Sequence, residues 1–190
     1  MARALIAQAA ACGLALLAAG DAGADAWQGD ARAGKLEFTA VQAGARFTGR
    51  FTEFRVELDL DPAAPAQGRL HVAIATASAD TQDDDRDGIL RSRDFFWSGQ
   101  HPQAVYHAEG FERDGDGWRA RGELTLRGMA RPVTVRFTAA PERGRLTMKG
   151  GATLSRLAFG VGQGDWASTE WIGDEVAITF ALSLARAQAP

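Results

Sequence analysis

From Leu36 onward, apolar and polar residues alternate. Leu36, Phe38 and Ala40 are set between Lys35, Glu37 and Thr39. Phe54, Val56, Leu58 and Leu60 interleave with Arg55, Glu57 and Asp59, and Leu70, Val72 and Ile74 with Arg69, His71 and Ala73. The pattern returns over 118–126, 133–137 and 176–184. A period of two sends successive side chains to opposite faces, so each run is a strand with one apolar and one wet face. Antiparallel sheets are the kind that leave a face wet. Turn residues separate the runs: Asp61-Pro62 and Pro65, Asp114-Gly115-Asp116-Gly117, Arg127-Gly128, and Glu142-Arg143-Gly144. The reading is all-β, with about eight or nine strands in a sandwich or barrel. Gly150-Gly151 inside a strand pattern predicts a bulge or a barrel corner. Residues 83–97 break the period; Ile89, Leu90, Phe95 and Phe96 recur at helical spacing and predict a short helical excursion.

The N-terminus reads differently. Arg3 precedes an apolar run over 4–19, broken by Gln8, Cys12 and Gly13. Ala22-Gly23-Ala24 and Ala24-Asp25-Ala26 follow with small-x-small spacing. This predicts a cleavable secretory signal over residues 1–26, cut before Trp27, and a mature domain over 27–190. The run is shorter than the ~18–20 residues of a spanning helix, so stable membrane insertion is not expected. Cys12 is the sole cysteine and lies in the signal. The mature chain then has no disulfide, thiol nucleophile or thiolate metal site. Without the first 26 residues, 20 basic side chains face 22 acidic ones. No basic patch marks a nucleic-acid surface, and no polybasic segment marks an anionic membrane.

An eight-stranded barrel has room for its own side chains or for one small ligand. Small residues recur on the apolar face at Ala40, Gly49, Ala120, Gly122, Gly150 and Ala152. They leave space for a cavity, and tight corners account for them equally well. The candidate ligand-binding residues are Phe38, Phe47, Phe54, Tyr106 and Trp118, with Leu124, Leu126, Val135 and Phe137. Ile178 and Phe180 on the last strand join them. Phe95, Phe96, Phe159, Trp166 and Trp171 fall in loops placed to cap an opening. Plain core packing is the competing account for any one of these side chains.

Motifs in the middle of the chain resemble the YceI-like family of bacterial exported proteins. The run is Asp80-Thr81, Arg86-Asp87, Leu90-Arg91-Ser92-Arg93-Asp94-Phe95-Phe96, then His101-Pro102-Gln103-Ala104-Val105-Tyr106. It continues through Gly122-Glu123-Leu124-Thr125-Leu126-Arg127-Gly128 and Arg131-Pro132-Val133. Ser155-Arg156-Leu157-Ala158-Phe159-Gly160 and Gly173-Asp174-Glu175-Val176 close it, and Gly49-Arg50-Phe51-Thr52-Glu53-Phe54 opens it. The resemblance implies an extended, eight-stranded, lipocalin-like antiparallel barrel. It also implies a periplasmic binding or carrier protein for a polyisoprenoid, quinone-like or other long-chain lipid, often paired as a homodimer. Two departures are Asp83-Asp84-Asp85, which is more acidic than usual, and the two-tryptophan stretch over 163–171.

Other chemistry is sparse. Arg86-Asp87 and Arg91-Ser92-Arg93-Asp94 either pin the helical excursion to the barrel or meet a ligand headgroup. Asp83, Asp85 and Asp87 before Gly88 mimic a calcium loop, but Asp94 stands where a bidentate Glu belongs and three arginines intrude. His71, His101 and His107 show no metal-ligand spacing and read as surface residues. Ser78, Ser92, Ser98 and Ser155 lack a nucleophile elbow. No cofactor, metal or catalytic residue is expected, and the chain reads as a non-enzyme. Two alternatives stay open: an enzyme acting on an isoprenoid lipid inside the barrel, and an interaction module with a solid core.

Overall fold

The computed structural model describes residues 25–187. The alternating runs become strands whose apolar members point inward: Phe54, Val56, Leu58 and Leu60 are all buried, and their neighbours are not. The strand segments are β1 (Asp25–Asp30), β2 (Gly34–Gln42), β3 (Ala45–Phe51), β4 (Phe54–Leu60), β5 (Arg69–Ala75) and β6 (Ala79–Asp80). After one helix, α1 (Asp84–Arg91), come β7 (Gln103–Asp114), β8 (Gly117–Leu126), β9 (Met129–Glu142), β10 (Arg145–Ser155) and β11 (Glu175–Arg186). Asp25 and Ala26 open β1, opposite Leu60 and Asp59. The apolar run over 4–19 lies outside the described residues.

Every pairing is antiparallel, and the ring β1-β4-β5-β7-β8-β9-β10-β11 closes through β1 on β11. This is an eight-stranded barrel. The remaining segments are continuations of three wall strands. β1 and β2 are one strand broken by a tight turn over Ala31–Ala33, where Asp30 accepts a hydrogen bond from the Arg32 amide. β3 runs into β4 across Thr52-Glu53, and β5 into β6 across Thr76–Ser78. The three breaks adjoin: Asp30 pairs with Arg55 and Glu37 with Arg50 on either side of the first two, while the Thr52 amide donates to the Ser78 carbonyl and the Ala75 amide to the Glu53 carbonyl. One side of the barrel therefore bends along a seam.

The bulge lies on β7, where the register slips between Ala108 and Phe111. Gly150-Gly151 keeps its register with both neighbours, so it is no bulge. A Cβ on Gly150 would come 2.1 Å from the Arg136 carbonyl oxygen, and one on Gly151 2.3 Å from that of Ile178. Only glycine leaves room for neighbouring backbones this close.

The connections sort onto two ends. The turns over 61–68, 115–116 and 143–144 share the first end with both described termini. The turns at 43–44 and 127–128 share the other end with two long excursions, over 81–102 and 156–174.

Candidate functional site

At the first end the barrel is solid. Trp27, Phe111, Trp118, Phe137, Leu146 and Leu184 are all buried there. Trp118 stands opposite Phe137, and the Phe111 and Phe137 rings meet edge to face at 5.5 Å. This aromatic floor explains why Trp118 and Phe137 do not line a cavity. Alternation turned them inward, but their strands carry them below it.

Above the floor lies a cavity of about 190 Å³. One water needs roughly 10–15 Å³ of such space, so this is no packing defect, and a solid core is not what the barrel has. Twelve of the candidate residues line it: Phe38, Phe47, Phe54, Phe95, Phe96, Tyr106, Leu124, Leu126, Val135, Phe159, Ile178 and Phe180. Leu36, Phe51, Val56, Leu70, Val72, Ile74, Met148, Leu154 and Leu182 are among the further apolar lining residues and were not singled out from the sequence. Strand alternation already pointed most of them inward.

The glycines of the apolar face do not make this space. The Phe38 ring occupies the room beside Gly49, where an added Cβ would sit 2.3 Å from Phe38 Cζ. The Tyr106 ring fills the room beside Gly122, 2.7 Å from the same construction. Small wall residues here seat large neighbours.

Three lining residues carry polar side-chain groups, and each is spent on backbone carbonyls. Thr76 Oγ1 donates to the His101 carbonyl at 2.7 Å. The Tyr106 hydroxyl lies 3.2 Å from the carbonyl oxygens of Ala120 and Val133, and burial pushes its pKa up to about 12. Arg156 is 4% exposed. Its guanidinium donates to the carbonyls of Val161, Ile172, Gly173 and Ser168 at 2.8–3.2 Å. Burial draws its pKa below the ordinary guanidinium value, and the Asp174 carboxylate opposes that. Arg156 thus organises its own excursion. The sequence offered it only as part of the Ser155–Gly160 motif.

The two excursions meet over the cavity. Leu90, Phe95 and Phe96 come from the first, and Phe159, Val161 and Ile172 from the second, all buried. The amides of Gly162 and Gln163 donate to the Asp94 carbonyl at 2.7 and 2.9 Å. Arg127 donates to the carbonyls of Arg93 and Phe95. Trp166 packs its ring on Phe95 from outside, at 5.6 Å, and Trp171 is 66% exposed, its carbonyl accepting from the Ala43 amide. Both tryptophans stand behind the cap and outside the lining.

The charged motif pins α1. Asp83 caps it by accepting from the Arg86 amide. Arg86 reaches Gln42 and stacks over Phe47, and Arg91 donates to the Ala77 carbonyl. Asp87 is buried and accepts from both the amide and the hydroxyl of Thr81. The calcium-like carboxylates therefore diverge: two serve the helix and its seat. Among the described residues no group of three His, Cys, Asp or Glu side chains is placed to hold a metal. The outer face brings together residues that sequence spacing kept apart. His71 stands opposite His107, flanked across the strands by Glu57 and Glu123.

A closed antiparallel barrel with an aromatic floor, a tied cap and an apolar chamber between them defines a cavity-bearing barrel of the lipocalin-like kind. The chain belongs to the YceI-like family, whose domain model matches residues 27–184. A UPF0312 protein of Pseudomonas paraeruginosa is 32% identical over 133 residues, covering 66% of this chain and 70% of that protein. Protein YceI of Escherichia coli O157:H7 is 38% identical over 87 residues, 46% of each chain, so that match spans about half the length of the relative. Among solved structures, Burkholderia cenocepacia BcnA superposes with a TM-score of 0.78 at 31% identity, over 82% of this chain and 98% of that one. A polyisoprenoid binding domain from Saccharophagus degradans shares the fold at 13% identity, with a TM-score of 0.63 over 86% and 99% of the two chains.

Proposed function

We propose that this protein binds a long-chain apolar lipid, of the polyisoprenoid or quinone type, inside the barrel, and carries or sequesters it in the periplasm. One observation carries the reading. The chamber is apolar, and its few polar side-chain groups are already hydrogen-bonded to backbone carbonyls. Such a lining fits a hydrocarbon chain, which asks for no polar partner. Each buried methylene stabilises the complex by about 0.8 kcal/mol, so a long chain binds firmly without a charged contact. Binding is favoured over catalysis because, among the described residues, no carboxylate, imidazole, amine or thiol lines the chamber. The name of the Saccharophagus domain points to the same class of ligand. The periplasmic location rests on the predicted signal over residues 1–26.

Native mass spectrometry of the full-length product after secretion, followed by organic extraction, tests the binding. A long-chain lipid that co-purifies and is released by solvent is the expected result. A ligand-free mass, with no uptake of added long-chain lipids, would sink the idea. Cell fractionation and the N-terminal mass test the export.

A further inference from the structure

The barrel wall has a window. β9 and β10 pair from Arg145↔Glu142 up to Gly151↔Arg136 and no further. Both strands continue past that point. β9 stays paired with β8 as far as Met129, and β10 with β11 as far as Ser155. Among the described residues no backbone hydrogen bond crosses between Met129–Val135 and Ala152–Ser155. The breaks beside the seam are bridged instead, by the Thr52, Ala75 and Thr76 amides.

Two sequence features make the window. Gly150-Gly151 stands at the last shared pair of the ladder, where a Cβ on either would meet the Arg136 or Ile178 carbonyl. Pro132 lies in the part of β9 that β10 leaves unpaired, and proline, which donates no amide hydrogen, is tolerated on an open edge. The chamber reaches both sides of the opening: Val133 and Val135 line it from β9, and Ala152 and Leu154 from β10. Val133, Ala152 and Leu154 face inward yet are only half-buried. Across the top, the Leu157–Phe159 turn packs against β9, and the Met129 side chain reaches over Gly160.

We propose that this window between β9 and β10 is the passage by which the lipid chain enters and leaves the chamber, sideways through the wall. The inference rests on the proposed cavity binding. It assigns the passage to the wall because the other routes are filled, one by the aromatic floor and one by the cap that Arg156, Arg127 and the Asp94 carbonyl tie down. The unpaired edges can part to pass a hydrocarbon chain without breaking any ladder hydrogen bond.

A staple across the window tests this. Continuing the observed register sets Thr134 opposite Thr153, both exposed on the outer face, so a cross-link there closes the window without filling the chamber. The variant Thr134→Cys/Thr153→Cys, in a Cys12→Ser background, is joined with a short bifunctional thiol reagent. Uptake and release of cis-parinaric acid, a fluorescent long-chain fatty acid, are then followed by stopped flow. Both rates should fall by at least about tenfold while the equilibrium affinity holds, since a closed passage slows both directions together. Thr138→Cys/Lys149→Cys, stapled where the strands already pair, should load like the unmodified protein. Asp94→Cys/Gln163→Cys, which locks the cap, should do the same. Unchanged rates in the first staple overturn the window, as does slowing only in the cap staple. A wild-type protein that takes up no probe overturns the cavity reading and the window with it.

Discussion

The Tyr106 hydroxyl reaches the carbonyl oxygen of Val133, two strands away, by laying its ring across Gly122. The side chain thereby joins β7 to β9 over the inner face of β8. Its second acceptor is the Ala120 carbonyl. Replacing Tyr106 with Phe removes both contacts and keeps the ring. We expect a loss of about 0.5–1.5 kcal/mol, read as a lower urea midpoint with an unchanged slope.

The same residue sets an alkaline limit. It is the only tyrosine in the chain, so phenolate absorbance reports on it alone. Its pKa rises from 10.0 to about 12 on folding, through burial. The folded chain then holds the proton more tightly than the unfolded chain does. Stability from this group is constant below pH 10, and declines between about 10 and 12. Tyr106→Phe should remove that part of the alkaline decline. A phenol that titrates near its ordinary value in the folded protein would contradict the burial argument.

Gly49→Ala tests how the wall seats its aromatics. The new Cβ would meet Phe38 Cζ at 2.3 Å and Thr81 Cγ2 at 2.8 Å. Phe38 cannot swing aside easily, because it packs on Phe47 and Phe51. We expect about 1–3 kcal/mol of destabilisation from this overpacking, measured by denaturant unfolding. A neutral substitution would show that the ring relocates at no cost.

Arg156→Leu strips the second excursion of its hub. The carbonyls of Val161 and Ile172 would be left in buried surroundings without a donor. Each orphaned buried acceptor costs about 1–3 kcal/mol, so a loss of roughly 3 kcal/mol is expected. Hydrogen exchange over 156–174 should quicken while the floor stays protected. Lysine, a point charge with three donors, should restore little of this.

The chamber predicts a dependence on chain length. Affinity for a homologous series of fatty acids should rise about fourfold per methylene, then level off when the chamber is full. Val72→Trp adds bulk on the inner wall and should bring the plateau to shorter chains. A flat series, measured by fluorescence displacement, would place the ligand outside the barrel.

Much of the architecture was legible because period two is a local signal. It located most of the strands, though not β1, with their inward faces and the helical excursion around α1. It could not give height along the barrel axis, so Trp118 and Phe137 looked like chamber residues when they are floor. Nor could it give register, which alone brings His71 beside His107 and closes β1 on β11. Small residues were a misleading cue, since Gly49 and Gly122 accommodate Phe38 and Tyr106. Arg156 was given no role of its own because a lone arginine after a strand reads as a surface charge. Only the tertiary fold supplies its four carbonyls.

The aromatic floor shares no residue with the chamber above it. Trp27, Phe111, Trp118 and Phe137 anchor one end, and the lining residues are drawn from a separate set. Selection can therefore recut the volume and shape of the binding space without disturbing the layer that anchors the fold. A scaffold divided this way can diversify its cargo faster than its architecture, and it offers protein engineers a chamber to redesign around a fixed base.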